Sequence, residues 1–376
     1  MTGIAFFDDF TDTVLGHHPD FIVGLANAAT EVTGGAEPVQ LHCPTGYLSQ
    51  HRLDERVAHH PAEGVSPGSG AVKLPYSRLV TPDNLAAASR SAAARGVTVF
   101  VDCYFDENYP AWPAPELGLR HVLSLHRPGY FTTGLTDRFP PRRPVADIIR
   151  GLAPAGLFVV HSPAAERLAA KFVDSRRLLR TGWPTATRAE VARWFGQAAA
   201  PPDEDPYVLS IGSARTDKGI DLLMSALPDG QRLRIVGQQY EETVARIGAR
   251  HPRHRVEWET GWIPRERLNQ AIAHAAVTVF PYQPEFSDYG GASGALAQAL
   301  VMGKPVIVSE VLAEQVPVSP ACRIVPVGDA DALRHAIEDS LRRLPELRAA
   351  AAELRGHVER QHTYEAHVEH ILERCA

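Results

Sequence analysis

Arg215 and Lys218 stand three residues apart in the run Tyr207-Val-Leu-Ser-Ile-Gly212-Ser-Ala-Arg215-Thr-Asp-Lys218-Gly219. An apolar strand ending in a glycine turn would deliver both cations to the carboxyl edge of a parallel sheet, the edge at which open α/β folds bind ligands. A guanidinium fork and an ammonium point charge grip different oxygens of a diphosphate and neutralise the charge that develops as it leaves. Only four of the 38 basic residues are lysine (Lys73, Lys171, Lys218 and Lys304), so a lysine at this turn is an exception in an arginine-using chain.

A second constellation follows: Tyr282-Gln-Pro-Glu285-Phe-Ser-Asp288-Tyr-Gly290-Gly291-Ala292-Ser293-Gly294-Ala295, running into an apolar helical stretch. A glycine- and serine-rich loop opening a helix leaves backbone N–H groups and the positive end of the helix dipole facing outward. Ser293, Gly294 and Ala295 are therefore candidate diphosphate-binding residues beside Arg215 and Lys218. No metal site is expected. His17-His18 and His59-His60 are adjacent pairs that cannot share a helix face, and no His-x-x-x-His lies beside a glutamate. Asp8-Asp9 and the Asp102/Asp106 pair are the carboxylates that could tempt a metal reading, yet cations and a helix dipole already serve a leaving diphosphate.

The elements that must position these residues alternate. In the first half the periodicity predicts strands over 4–7, 39–42, 97–101, 121–125 and 157–161 and helices over 21–31 and 164–172, the latter opened by Ser162-Pro163 as N-cap and first helical proline. A polar, proline-rich stretch, preceded by a short helical piece over 190–195, predicts a linker over 187–206. The rhythm then restarts with strands over 207–211, 233–236, 255–258, 277–280, 305–309 and 323–327, and helices over 219–226, 241–250, 265–274, 294–302 and 331–344. The last stretch, 347–374, reads as helical with a break near His362-Thr363. The fold class is α/β: two Rossmann-like domains, 1–186 and 207–360, with a terminal helix, 361–376, packing back on the first.

Composition narrows the function classes. The chain has 376 residues, enough for two cores, and a net charge of −6 with no long basic run, so nucleic acid is not an expected partner. No apolar run approaches the ~18–20 residues that span a bilayer, and residues 1–10 carry no basic stretch before their apolar part. The four cysteines, Cys43, Cys103, Cys322 and Cys375, are scattered and form neither a disulfide framework nor a zinc motif, which fits a cytoplasmic location.

Taken in order, Ile211-Gly212 with Arg215 and Lys218-Gly219, Trp258-Glu-Thr-Gly261-Trp262-Ile263, Val279-Phe280-Pro281, Ala299-Leu-Val-Met-Gly303-Lys304-Pro305 and Val325-Pro-Val-Gly328-Asp329 resemble the C-terminal domain of GT-B glycosyltransferases of retaining family 4. The resemblance implies two Rossmann-like domains facing a cleft, a nucleotide diphosphate sugar as donor, transfer to an acceptor hydroxyl with retained anomeric configuration, and no cofactor. It assigns Arg215 and Lys218 to catalysis and the diphosphate, and Gly212, Trp262, Ile263 and Gln298 to the nucleoside. In the first domain, His126 after Ser124-Leu falls where the family places a histidine facing the donor sugar, and Gly16 and His17 fall in the loop that brings acceptor contacts; Asp288 and Gly291 join the sugar and acceptor set.

The sequence also departs from that family. The family's two glutamates, eight positions apart, are Gly290 and Gln298 here, and its common Asn-Gly-Val-Asp is Thr181-Gly182-Trp183-Pro184. A nucleotide-sugar epimerase or hydrolase of the same architecture, or an idle nucleotide-sugar binding protein, are the alternatives these departures keep open. An oxidoreductase is disfavoured, because no Gly-x-Gly-x-x-Gly follows either first strand. The arginine- and alanine-rich composition is compatible with an actinobacterial source and with natural-product or cell-surface glycoside assembly.

Overall fold

In a computed structural model, the structure describes residues 2–8, 18–49, 51–61, 82–105, 118–131, 156–197, 206–212, 215–237, 241–251, 255–261 and 263–376. The chain divides into two compact units. The first comprises Met1–Thr187, Tyr289–Ala292 and Tyr364–Ala376, and the second Arg188–Asp288 and Ser293–Thr363.

The first unit is a seven-stranded parallel sheet: β1 (Gly3–Phe7), β2 (Val39–Cys43), β3 (Val57–Pro61), β4 (Val97–Asp102), β5 (Arg120–Leu125), β6 (Leu157–Val160) and β7 (Leu178–Arg180). Its order is β3-β2-β1-β4-β5-β6-β7. β1, β2 and β6 are buried along their whole length, as strands covered on both faces must be. β3 was not expected from the sequence, since Val-Ala-His-His-Pro at a sheet edge is half exposed and lacks a continuous apolar run. The helix Pro82–Ala94 was also missed; its alanines and serines carry little apolar contrast. Ser162 caps the helix Pro163–Ala169 as expected, its Oγ accepting from Ala165 N at 3.0 Å.

The second unit is a six-stranded parallel sheet of β8 (Val208–Ile211), β9 (Arg232–Gly237), β10 (Arg255–Thr260), β11 (Val277–Phe280), β12 (Val306–Ser309) and β13 (Cys322–Val325), in the order β10-β9-β8-β11-β12-β13. Counted from β8 this is the doubly wound order 3-2-1-4-5-6, which reverses direction between β8 and β11. Val208, Leu223, Leu233, Ile235, Val277, Ile307 and Ile337 meet in its core. Part of the expected linker is structured: Arg188–Gln197 is a helix counted in the second unit, with Val191, Trp194 and Phe195 buried, and 198–205 lies outside the described residues. Lys304 is buried and donates to the Ala273 carbonyl at the end of the helix Arg265–His274, so this lysine caps a helix C-terminus.

The final stretch breaks more often than expected, into helices Leu344–Ala352, Arg355–Gln361 and Tyr364–Cys375. The last of these packs on the first unit's helix His18–Val32. Tyr364 N donates to the Ala186 carbonyl at 2.9 Å, and the Tyr364 ring lies where a Cβ on Gly24 would come within 2.4 Å of it. Val368 and Ile371 are fully buried, while Leu372 is only half-buried. Deleting Tyr364–Ala376 removes, among its buried side chains, the large apolar ones of Tyr364, Val368 and Ile371, worth ~1.5–3 kcal/mol each. Thermal denaturation of the truncated protein is expected to show a clear loss of stability, and an unchanged melting temperature would refute the packing role.

Candidate functional site

Both sheets place polar residues directly after their strands. In the second unit, the first βα turn and the β11 loop converge at the point where strand order reverses. Arg215, Asp217, Lys218 and Gly219 come from the former, Pro281, Tyr282 and Gln283 from the latter, and Gln283 N donates to the Asp217 carbonyl at 2.9 Å. Gly219 makes this approach possible. Its φ is +67°, and a Cβ there would sit 2.0 Å from the Pro281 carbonyl oxygen.

Lys218 and Arg215 are held in different ways. The Lys218 Nζ lies 3.7 Å from the centroid of the Tyr282 ring and 4.2 Å from that of Phe286. The Arg215 fork closes on the Asp217 carboxylate, with Nε 2.9 Å from Oδ1 and an Nη2–Oδ2 contact beside it. The Arg215 charge is therefore balanced by a carboxylate, and the Tyr282 and Phe286 ring faces attract the Lys218 ammonium.

The helix Gly294–Val301 opens on the same side chain set. Ser293 caps it through Leu296 N at 3.2 Å, and the Ser293 hydroxyl also meets the Tyr282 hydroxyl at 3.0 Å. The Ser293 N–H, expected to hold phosphate, instead donates to Gln315 Oε1 at 3.0 Å. Among the described residues, Gly294 N and Ala295 N have no hydrogen-bond partner, which leaves the first turn's orphan donors for an anion. Gln298 is buried and its Nε2 donates to Asn269 Oδ1 at 2.9 Å, leaving its carbonyl oxygen for a ribose hydroxyl. Gly212 ends β8 with φ +115°, Ile263 is half-buried, and Asp288 is exposed at the end of the short helix Glu285–Asp288. Trp262, Gly16 and His17 lie outside the described residues.

In the first unit the residues after successive strands form a column of rings. His126, after β5, stacks on Tyr104 at 4.1 Å, and Tyr104 stacks on His18 at 3.7 Å. The His126 Nε2–H donates to the Cys103 carbonyl at 2.6 Å, which fixes its tautomer and orientation. His18 Nδ1 donates to the buried Asp8, after β1, at 2.9 Å, and the Tyr47 hydroxyl donates to the same oxygen at 3.2 Å. Beyond His126 come His161 at 5.1 Å and His367 at 5.5 Å from His161, with Phe21 and Trp183 packed against the set. The Thr181 hydroxyl bridges the two imidazoles, 3.0 Å from His367 Nδ1 and 3.4 Å from His161 Nδ1. Of this column the sequence reading assigned His126 to the site and weighed Asp8 and His18 only against a metal site. The missed signal was positional: Asp8, His126, His161 and Thr181 each directly follow a strand.

Gly290 and Gly291 belong with the first unit. Gly129 N donates to the Tyr289 carbonyl at 3.1 Å and Ser162 Oγ to the Gly290 carbonyl at 3.1 Å. Gly290 has φ +76°, and a Cβ there would meet Ala165 Cα and Leu168 Cδ1, each at 3.0 Å. A side chain at the position that resembles the family's first glutamate is therefore strained and crowded here.

Comparisons with known proteins agree with this fold. Residues 205–343 match the family model described as glycosyl transferases group 1. No curated protein matches the chain by sequence. Among solved structures, a glycosyltransferase from Rickettsia africae superposes with a TM-score of 0.68 at 13% identity, covering 100% of this chain and 97% of that one. Anabaena HepE, in complex with UDP and glucose, gives 0.63 at 12% identity with 99% of each chain covered. AviGT4, a glycosyltransferase involved in avilamycin A biosynthesis, gives 0.62 at 18% identity, covering 100% and 97%. The fold is GT-B. The chain carries a group 1 glycosyl transferase domain and is a glycosyltransferase.

Two predictions follow from the first unit. Burial holds His161 and His367 well below the usual imidazole range, His42 at about 3 and His121 at about 4. An unfolded histidine titrates near 6.5, so between that pH and the depressed folded value the unfolded state binds more protons, and stability falls as pH falls. Melting temperature is expected to be flat above about pH 7 and to drop from about pH 6.5 downward, each histidine adding up to ~1.4 kcal/mol per pH unit. A melting temperature that holds to pH 4.5 would contradict this. At Gly290, substitution by Ala is expected to cost at least ~1–2 kcal/mol from the left-handed backbone alone, read by denaturant titration; a neutral Gly290→Ala would show that the loop relaxes.

Proposed function

We propose that the chain transfers a sugar from a nucleoside diphosphate sugar to an acceptor hydroxyl with retention of configuration and without a metal ion. The second unit takes the donor and the first unit contributes the acceptor and sugar contacts. The observation that carries the reading is Lys218, held on two aromatic faces at the strand-order reversal, in the same side-chain set as the start of the helix Gly294–Val301. Together they supply a charge and oriented N–H donors for a diphosphate, the group whose departure limits glycosyl transfer. Comparison with HepE, which binds UDP and glucose, supports a uridine nucleotide. The likeness to AviGT4 and the composition support a natural-product or cell-surface glycoside as acceptor.

The chemistry follows from what the site supplies. The bond from the anomeric carbon to the diphosphate oxygen breaks as Lys218 and the Gly294 and Ala295 N–H groups take up the charge. The acceptor oxygen bonds to the same face of that carbon and passes its proton to the departing diphosphate. The glycine at position 290 supports this same-face route, since the carboxylate that members of the resembling family carry there is missing. His126, oriented by Cys103, would face the sugar and stabilise its developing positive charge.

Product analysis by NMR with a panel of nucleotide sugars and candidate acceptors tests the reading: an α-linked product from an α-configured donor, formed in excess EDTA, is expected. Sugar release without transfer would indicate a hydrolase, and a β-linked product would exclude the same-face route. Lys218→Ala is expected to reduce turnover by about 10²–10³. Arg215→Ala is expected to lose a comparable factor, because it leaves the Asp217 carboxylate unbalanced beside the anion. Neutralising both in Arg215→Met/Asp217→Asn should recover most of that loss, and near-normal turnover in Lys218→Ala would defeat the diphosphate assignment.

A further inference from the structure

We propose that Asn269 is a specificity-determining residue of the donor site: with Gln298 it forms a neutral amide pair that reads the two ribose hydroxyls of the nucleotide, one through a carbonyl oxygen and the other through an amino group. The inference rests on the nucleoside diphosphate reading above and adds to it a residue and a discrimination between nucleotides.

Gln298 stands four residues after Gly294, so it lies on the same face of the helix Gly294–Val301, about 6 Å further along its axis. A ribose joined to a diphosphate held at Gly294 N and Ala295 N falls within that reach. Asn269 comes from the helix Arg265–His274, which follows β10 and so opens at the carboxyl edge of the same sheet. Two bonds tie the helices together. Gln298 Nε2 donates to Asn269 Oδ1 at 2.9 Å, and one turn further along the second helix Lys304 Nζ donates to the Ala273 carbonyl. The Tyr207 hydroxyl, donating to the Ala271 carbonyl at 2.6 Å, fixes that helix from the sheet side.

The pair has a definite hydrogen-bonding capacity left over. Gln298 is buried and Asn269 half-buried, and their mutual bond uses one N–H and one carbonyl oxygen. Among the described residues, Gln298 Oε1 and Asn269 Nδ2 have no hydrogen-bond partner. Turning both amides over exchanges their roles and leaves the same set, one carbonyl oxygen and one amino group. A vicinal diol matches that set, since one hydroxyl donates to the oxygen while the other accepts from the amino group. The pair also carries no charge, so it adds no repulsion one turn from a diphosphate. Because Asn269 holds Gln298 in advance, less side-chain freedom is lost when the nucleotide arrives.

The chain has four asparagines, Asn27, Asn84, Asn108 and Asn269, so ¹⁵N-asparagine labelling gives four side-chain amide signals and Asn269→Asp identifies one of them. In the wild-type protein that signal is expected to shift on titration with UDP and to stay in place with inorganic pyrophosphate, which has no ribose. Calorimetry supplies the second readout. Wild type is expected to bind UDP about tenfold more tightly than 2′-deoxy-UDP or 3′-deoxy-UDP, because each analogue leaves one polar atom of the pair without its hydroxyl. Asn269→Leu should bring at least one analogue within about twofold of UDP, and Asn269→Leu/Gln298→Met should do so for both, with pyrophosphate affinity kept within about twofold of wild type throughout.

Preferences that survive Asn269→Leu, an Asn269 signal indifferent to UDP, or wild-type binding that ignores both missing hydroxyls overturns the pair and leaves the diphosphate reading intact. A parallel loss of UDP and pyrophosphate affinity in Asn269→Leu would do the same, by showing that the bond only braces two helices. Wild-type protein that binds neither UDP nor pyrophosphate overturns the diphosphate reading, and the pair with it.

Discussion

The close approach of two turns at the reversal of strand order governs the second unit. Gly219 is the residue that permits it: with the Pro281 carbonyl 2.0 Å from where a Cβ would stand, any other residue would push the first βα turn away from the β11 loop. Everything anionic in the proposed chemistry depends on that contact. It brings Lys218, from one turn, over Tyr282 and Phe286, from the other, and Tyr282 in turn reaches Ser293. Parallel strand order alone produces a crevice at such a point; the missing Cβ lets Lys218 from one turn reach Tyr282, and through it the start of the helix Gly294–Val301, in that crevice.

The first unit solves a different problem with the same topology. Its carboxyl edge collects Asp8, Tyr104, His126, His161 and Thr181 from successive strands, and the terminal helix adds His367. This column offers hydrogen-bonding groups and polarisable ring faces, and burial holds His161 and His367 well below the usual imidazole range. The buried Asp8 is the exception, and His18 and Tyr47 both donate to it. Since Thr181 bridges His161 to His367, the terminal helix is part of how this edge is built and not only a patch over apolar surface.

Much of the second unit was legible because its strands are short apolar runs closed by glycine or proline, and because β8, β11 and β12 are buried throughout. Lys218 was legible through composition: in a chain that almost always uses arginine, each lysine invites a reason, and Lys304 proves to have a structural one. Less could be read in the first unit. β3 is a half-exposed edge strand with two histidines and a proline, and helix Pro82–Ala94 has small residues on every side, so neither carries the periodicity that identifies an element. Side-chain pairings were beyond reach altogether. That Ser293 N–H would be taken by Gln315, or Arg215 by Asp217, depends on loop geometry that no spacing encodes.

Gly290 shows how a departure from a family pattern can be a physical requirement. Read against the resembling enzymes, a glycine where a glutamate is common looks like a lost function. In this chain the loop turns there with φ +76°, its carbonyl accepts from Ser162, and a Cβ added there would come within 3.0–3.1 Å of Ala165, Leu168 and Pro128. Ser162 therefore does double service, since the same hydroxyl caps the helix Pro163–Ala169 through Ala165 N. The helix start and the loop are thus pinned by one side chain, and the space a carboxylate would need is filled by the backbone of that helix. A glutamate substituted there would meet both a left-handed backbone and crowded neighbours. In the proposed chemistry that leaves the oriented imidazole of His126, at the carboxyl edge of the first sheet, as the group assigned to the sugar.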